Sequence, residues 1–162
     1  MKRWSQRTHE IAYLLNPAFC GRLLYAAIKE YERNLKRSIP FPLVYLILPL
    51  VLHKPTRDQI NSRTRFLRWI QGNQYLLIGF PRRASELVVI TNEAIEMLLQ
   101  ANMIQLTQNG ELCIVSSEKA LSKTRFVNSE ISECITKSEH VARWFASAGR
   151  IETIYIGLGV RP

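Results

Sequence analysis

Aspartate is almost missing from this chain: among 162 residues, Asp58 is the only one. A metal-dependent nuclease needs clustered carboxylates to hold its cations, so that chemistry is disfavoured. Histidine is scarce as well. His9, His53 and His140 stand far apart, with no cysteine or carboxylate at ligand spacing, and no metal site is expected. Cys20, Cys113 and Cys134 are odd in number and widely separated, which fits neither a disulfide framework nor a zinc site. They are expected to be reduced thiols, buried or half-buried. There is no GxxxxGK[ST] phosphate loop, and Gly157-Leu158-Gly159 lacks the third glycine and following helix of a dinucleotide fingerprint. No nucleophile elbow is present. The longest apolar run, residues 39–52, is shorter than the ~20 residues of a membrane span and contains Pro40, Pro42 and Pro49. Residues 1–10 are polar, so no secretory signal is expected. Together these absences predict a cytoplasmic protein that is not an enzyme, needs no cofactor and does not enter a membrane.

What the chain does have is positive charge, distributed unevenly. The net charge is +9. Residues 1–40 carry +5, residues 41–83 carry +6, and residues 84–162 carry −2. A basic front half and a mildly acidic back half predict two surfaces for two kinds of partner.

The most legible stretch is residues 87–115. Thr91 or Asn92 can cap a helix, Glu93 sits in its first turn, and Ala94, Ile95, Leu98, Leu99 and Ala101 form an apolar stripe. The period then changes to two. Met103, Ile104 and Leu106, followed by Leu112, Ile114 and Val115, flank Asn109-Gly110, a pair suited to the positive φ of a hairpin turn. Helix plus hairpin is the second half of a winged-helix domain. However, the charges from 86 to 102 are Glu86, Glu93 and Glu96, with no cation among them, which argues against this helix lying on phosphates.

Elsewhere, Thr8 is expected to start a first helix, with Ile11, Leu14 and Leu15 inward. Asn16-Pro17 ends it and caps a second, amphipathic helix to about Leu35, with Leu24, Ile28, Tyr31 and Leu35 on one side. Residues 38–53 read as the most buried helix, kinked or split at Pro49. A helix from Thr56 to about Gln71 would gather Ile60, Leu67 and Ile70 within roughly 80° of one another and place Arg57, Asn61, Arg65 and Arg68 on another side. That side is the expected phosphate-facing surface, with Lys54 and Arg63 beside it. A solvated helix face is the competing reading. A strand is expected over residues 75–80, and Pro81-Arg82-Arg83 is expected to be a loop adding two cations. Residues 116–125 read as a connector. A helix from about Asn128 to Ala148, with Ile131, Ile135, Ala142 and Phe145 inward, would restart near Ser138 and stop at Gly149. Thr153-Ile154-Tyr155-Ile156 reads as a strand that must pair with the core sheet or another chain. The expected class is mainly α with a small β-hairpin or sheet (α+β), around a winged-helix-like core. One domain spans residues 1–162, subdivided into N-terminal helices (1–37), core (38–115) and C-terminal helix and strand (116–162).

Three segments carry a resemblance. Glu10-Ile11-Ala12-Tyr13-Leu14-Leu15-Asn16-Pro17-Ala18-Phe19, the apolar 40–53 segment leading into Lys54-Pro55-Thr56-Arg57, and Ile154-Tyr155-Ile156-Gly157-Leu158-Gly159-Val160 together resemble the middle component of bacterial ABC-three-component systems. The resemblance implies a small subunit beside an ATPase like those of structural maintenance of chromosomes (SMC) or Rad50 complexes and a nuclease or other effector, as in Lamassu-type defence against phages and plasmids. It implies docking on the ATPase head and help in sensing double-stranded DNA. The expected DNA-facing residues are Lys54, Arg57, Arg63, Arg65, Arg68, Arg82 and Arg83, and the expected protein-docking residues are Glu93, Glu96, Ile154, Tyr155 and Ile156. The alternative is a free-standing winged-helix transcription regulator, which would need a cationic recognition helix.

Overall fold

The structure, a computed structural model, describes residues 15–115 and 129–161. The expected helix from Thr8 and the connector at 116–125 lie outside the described residues. The class is as expected: mainly helical, with one small three-stranded antiparallel sheet.

The central element is α1 (Pro17–Leu35). Asn16 caps it by accepting a 2.8 Å hydrogen bond from the Ala18 N–H, and Pro17 occupies the first turn, where a missing N–H costs nothing. The single apolar side expected for this helix is only part of what is buried. Cys20, Leu23, Leu24, Tyr25, Ala26, Ala27, Ile28 and Tyr31 are all enclosed, so α1 runs through the core and is not laid on it. Its main neighbours are α8 (Val88–Gln100) and α9 (Ser129–Ala148). Gly21 faces α8, where a Cβ would lie 2.7 Å from the flexible end of Met97, Cε, and at ordinary contact distance from the Ala94 carbonyl.

The sheet has the order β1-β3-β2, built from β1 (Ile39–Pro40), β2 (Ile104–Leu106) and β3 (Glu111–Ile114). Ile39 pairs with Leu112, and Ile104 with Ile114, so Ile39, Ile104 and Leu112 enter the core from one face. The hairpin forms where expected. Of its turn residues, Gly110 takes a positive φ (72°) and Asn109 does not, and Thr107 closes the loop with its N–H on the Glu111 carbonyl at 2.8 Å. This is the three-residue connection with a glycine in the left-handed region. Helix α8 starts earlier than the expected cap. Thr91 lies inside it with Oγ1 donating to the Leu87 carbonyl at 2.8 Å, and Asn92 accepts from the Tyr45 hydroxyl.

Residues 38–53 are buried as expected but are not one helix. They form β1, α2 (Phe41–Val44) and α3 (Ile47–Val51), with the break at Tyr45-Leu46. Pro49 falls in the first turn of α3, where no intrahelical N–H bond is lost. The expected 56–71 helix is also broken, into α4 (Lys54–Gln59) and α5 (Phe66–Gly72). Between them, the Asn61 side chain accepts from the N–H groups of Arg63 and Thr64 at 3.1 and 3.0 Å, an Asx turn that competes with the helix. Ile60 is buried and Leu67 is half-exposed, so the two do not share an inward face.

The expected strand at 75–80 is instead α6 (Gln74–Leu77) and the start of α7 (Phe80–Glu86), joined at Gly79 with φ 76°. Pro81, Arg82 and Arg83 therefore lie in the first turns of a helix and not in a loop. The C-terminal segment is also helical: α10 (Ile151–Gly157) replaces the expected strand. Ile154, Tyr155 and Leu158 are buried at helical spacing, and Gly157 lets α10 approach α5, where a Cβ would meet Ile70 Cδ1 at 2.7 Å. Helix α9 runs unbroken through Ser138, which is buried and donates to the Cys134 carbonyl at 2.9 Å. It stops at Gly149, φ 86°. No helix among the described residues is long and apolar enough to cross a membrane.

Candidate nucleic-acid interface

The seven expected cations separate into three environments. Arg57 is in the core, with its side chain 1% exposed. Nη2 donates to Glu130 at 2.6 Å, Nε to Glu133 at 3.3 Å and Nη1 to the Val51 carbonyl at 3.0 Å. It clasps α4 to α9, and its donors are directed at protein. Its assignment to a phosphate face is corrected: the helical wheel that placed it beside Arg65 and Arg68 assumed a continuous helix.

Lys54, Arg82 and Arg83 also have partners. Lys54 pairs with Asp58 at 3.2 Å and Arg82 with Glu86 at 2.8 Å, both exposed one-turn pairs whose charges largely cancel at a distance. Arg83 lies over the Phe80 ring, 5.7 Å from its centroid, and donates to the carbonyls of Leu76 at 3.0 Å and Ile78 at 3.4 Å. It closes the α6–α7 junction. Burial lowers its pKa, and its positive charge adds to burial in lowering that of His53.

Arg63, Arg65 and Arg68 are exposed and have no acidic partner among the described residues. Arg63 and Arg65 belong to the 60–65 loop, which forms one wall of a cleft of about 390 Å³. The other wall is α9, contributing His140, Arg143, Trp144 and Ser147, while Asn34 comes from the end of α1. The loop is anchored through its carbonyls. Trp69 Nε1 donates to Gln59 at 3.0 Å, Trp144 Nε1 donates to Thr64 at 2.7 Å, and Lys137 donates to Ile60. Trp69, Trp144, Phe66 and Phe145 pack together beneath it.

Arg143 is the residue that sequence reading missed. It is 80 positions from Arg63 and nothing local marks it; only the packing of α9 against the loop brings the two together. Its Nη1 donates to Glu30 at 2.7 Å, and Glu30 also accepts from Arg33 at 2.8 Å and Asn34 at 3.1 Å. Burial would raise the Glu30 carboxyl, but the donors Arg143, Arg33 and Asn34 outweigh it and hold the pKa below its ordinary value. Burial, followed by the charges of Arg143 and Lys137, lowers the pKa of His140.

The expected docking residues also divide. Ile154 and Tyr155 are core, the latter donating its hydroxyl to the Pro42 carbonyl at 2.7 Å, whereas Ile156 is 75% exposed. Glu93 is half-buried. Glu96 is exposed beside Val88, Val89 and Leu99, so the outer side of α8 is both acidic and apolar. Leu67, Tyr75 and Ile78 on the α5–α7 segment are also exposed. Cys20 and Cys134 are buried and Cys113 half-buried, all as free thiols; burial pushes the Cys20 thiol up to about 12. No group of metal-ligating side chains occurs among the described residues.

Comparison with curated proteins and with solved structures yields no match. One family does match, over nearly the whole chain. Residues 4–162 fit ABC-three component (ABC-3C) system Middle Component 3, and the chain belongs to that family.

Proposed function

We propose that this middle component is a non-catalytic subunit that docks on an SMC- or Rad50-like ATPase and presents a basic surface to double-stranded DNA. In this role it helps its system sense foreign DNA and control a nuclease or other effector, in Lamassu-type defence against phages and plasmids. The observation that carries the reading is a run of cations at residues 63–68, without acidic partners among the described residues, set against an outer side of α8 that is acidic and apolar. Arg63, Arg65 and Arg68 are cations with no acidic partner among the described residues, and they lie within six positions of one another. The outer side of α8 instead combines Glu96 with Val88, Val89 and Leu99, a composition suited to a protein partner.

The connectivity supports a winged-helix-like core. Helix α1, strand β1, short helices, α8 and a hairpin follow in that order, and β1 pairs on the far side of β3. In such a core α8 takes the recognition-helix position, yet residues 84–102 contain no lysine or arginine. A free-standing transcription regulator would read DNA with that helix. Here Arg63, Arg65 and Arg68 lie outside that helix, in the 60–68 segment.

Co-purification with the products of adjacent genes tests the docking half. A stable complex with a coiled-coil ATPase is expected, and a lone homodimer bound to its own promoter would overturn it. For the DNA half, replacing Arg63, Arg65 and Arg68 by Glu is expected to weaken DNA binding by the complex while the subunits stay together. Removing one arginine–phosphate ion pair should make the slope of log affinity against log salt shallower by about 0.9. Unchanged DNA binding would leave these arginines as a merely solvated surface, and dissociation of the complex would make them a protein interface.

A further inference from the structure

We infer that the cleft between the 60–65 loop and α9 is a pocket for a phosphate monoester, the terminal phosphate of a nucleic-acid strand or of a free mononucleotide. Arg63, Arg65 and Arg143 line it, together with Ser62, Thr64 and Ser147, and no carboxylate is among the lining residues; the Ser147 hydroxyl donates to the Trp144 carbonyl at 3.0 Å. Arg63 and Arg65 form no ion pair among the described residues, and the hydroxyls of Ser62 and Thr64 likewise have no acceptor there. Donor capacity of this kind is what a phosphoryl group requires. Outside the lining residues, Glu30 bonds Nη1 of Arg143 at 2.7 Å and is shared with Arg33, and Glu139 also acts on both arginines through its charge. The bond to Glu30 fixes the Arg143 guanidinium in place.

Shape decides between a monoester and a backbone diester. The cleft is about 390 Å³, within the roughly 300–1,000 Å³ of small-ligand sites. A duplex presents its diesters on a convex surface, each with one charge and two free oxygens, which suits a flat basic face better than a recess. A terminal phosphate can enter a recess. It brings about −1.5 to −2 charges and three acceptor oxygens, a match for the three arginines that line the cleft. The pocket is also held in shape before any ligand arrives, because Trp144, Trp69 and Lys137 fix the loop through its carbonyls. This inference deepens the DNA-facing role proposed above and rests on it only for the strand-end source of the phosphate.

The full-length chain would be titrated with two short single strands identical in sequence, one ending in a 5′ phosphate and the other in a 5′ hydroxyl, with AMP and adenosine as competitors. The phosphorylated strand should bind roughly tenfold tighter, the equivalent of one charged hydrogen-bond pair. The double variant R63Q/R65Q should bring that ratio to one. R68Q, outside the cleft, should weaken both strands alike and leave the ratio intact. Competition by AMP but not adenosine, without a strand-end preference, supports the pocket and assigns it to mononucleotides. If neither the strand pair nor the competitor pair distinguishes phosphate from hydroxyl, the pocket is overturned. The DNA-facing role is read separately from a blunt duplex of the same sequence with 5′ hydroxyl ends: it survives if that duplex still binds and R68Q weakens it, and falls if the duplex does not bind.

Discussion

Replacing Arg57 by Met tests the reassignment of that residue from surface to core. The change keeps most of the side-chain volume and removes the guanidinium, leaving the Val51 carbonyl and the carboxylates of Glu130 and Glu133 without its three hydrogen bonds. Breaking a buried ion pair by removing one partner costs about 3–5 kcal/mol. The Glu130 and Glu133 side chains are 55% and 35% exposed and regain water, which lowers the figure. The unpaired Val51 carbonyl restores part of it, about 1–3 kcal/mol. A loss of roughly 2–4 kcal/mol is expected, which for a chain of this length is about 4–16 °C in Tm. Denaturant unfolding followed by circular dichroism measures it, and a double-mutant cycle with Glu130→Gln should give a coupling energy above about 0.5 kcal/mol. DNA binding at a temperature where the variant is folded should be unchanged. Wild-type stability with abolished DNA binding would refute the reasoning and return Arg57 to the phosphate face.

Further outcomes are expected at four other positions. Gly110→Ala places a β-carbon at φ 72° with no steric neighbour within 4 Å, so it should cost only the left-handed conformational penalty, about 1–2 kcal/mol in denaturant unfolding. Gly72→Ala, equally open but helical, should stabilise by about 0.5–1 kcal/mol. Trp144→Phe removes the donor to Thr64, and amide exchange or proteolysis across residues 60–65 should accelerate while the rest of the chain keeps its protection. Glu30 has a folded pKa below its unfolded value. Its contribution is therefore present above the ordinary carboxylate pKa and is lost as pH falls through the folded one, so Glu30→Gln should flatten the acid limb of stability against pH. An unaltered acid limb would show that Arg143, Arg33 and Asn34 do not hold that carboxylate in solution.

Structure is readable in the sequence where local chemistry decides it. Asn16-Pro17 marks the start of α1, Gly149 the end of α9, and Thr107-Gln108-Asn109-Gly110 the hairpin, each through a cap or a backbone conformation that few residues adopt. Short apolar runs are ambiguous. Residues 75–80 and 153–156 hold too few positions for a period of two to be told from 3.6, and tertiary packing makes both helical. The spacing of Ile151, Ile154, Tyr155 and Leu158 carries the helical signal for the second of these, although the glycines beside it favour reading a strand. Of the candidate site, Arg63, Arg65 and Arg68 are legible from charge alone. Arg57 is not distinguishable from them, because its burial depends on Glu130 and Glu133 more than 70 positions away, and Arg143 is invisible for the same reason.

The 60–65 loop is held by side chains that lie outside it and that grip the peptide carbonyls of Gln59, Ile60 and Thr64. Every amino acid has a peptide carbonyl, so these anchors impose no identity on the residues they hold. The exceptions are Asn61, whose own amide oxygen organises the turn, and Ile60, whose side chain is buried in the core. Positions 62, 63 and 65 can therefore exchange side chains while the path of the backbone stays fixed. The path of this surface and the chemistry it displays are thereby encoded in separate parts of the chain, and its charge can change without the loop being refolded.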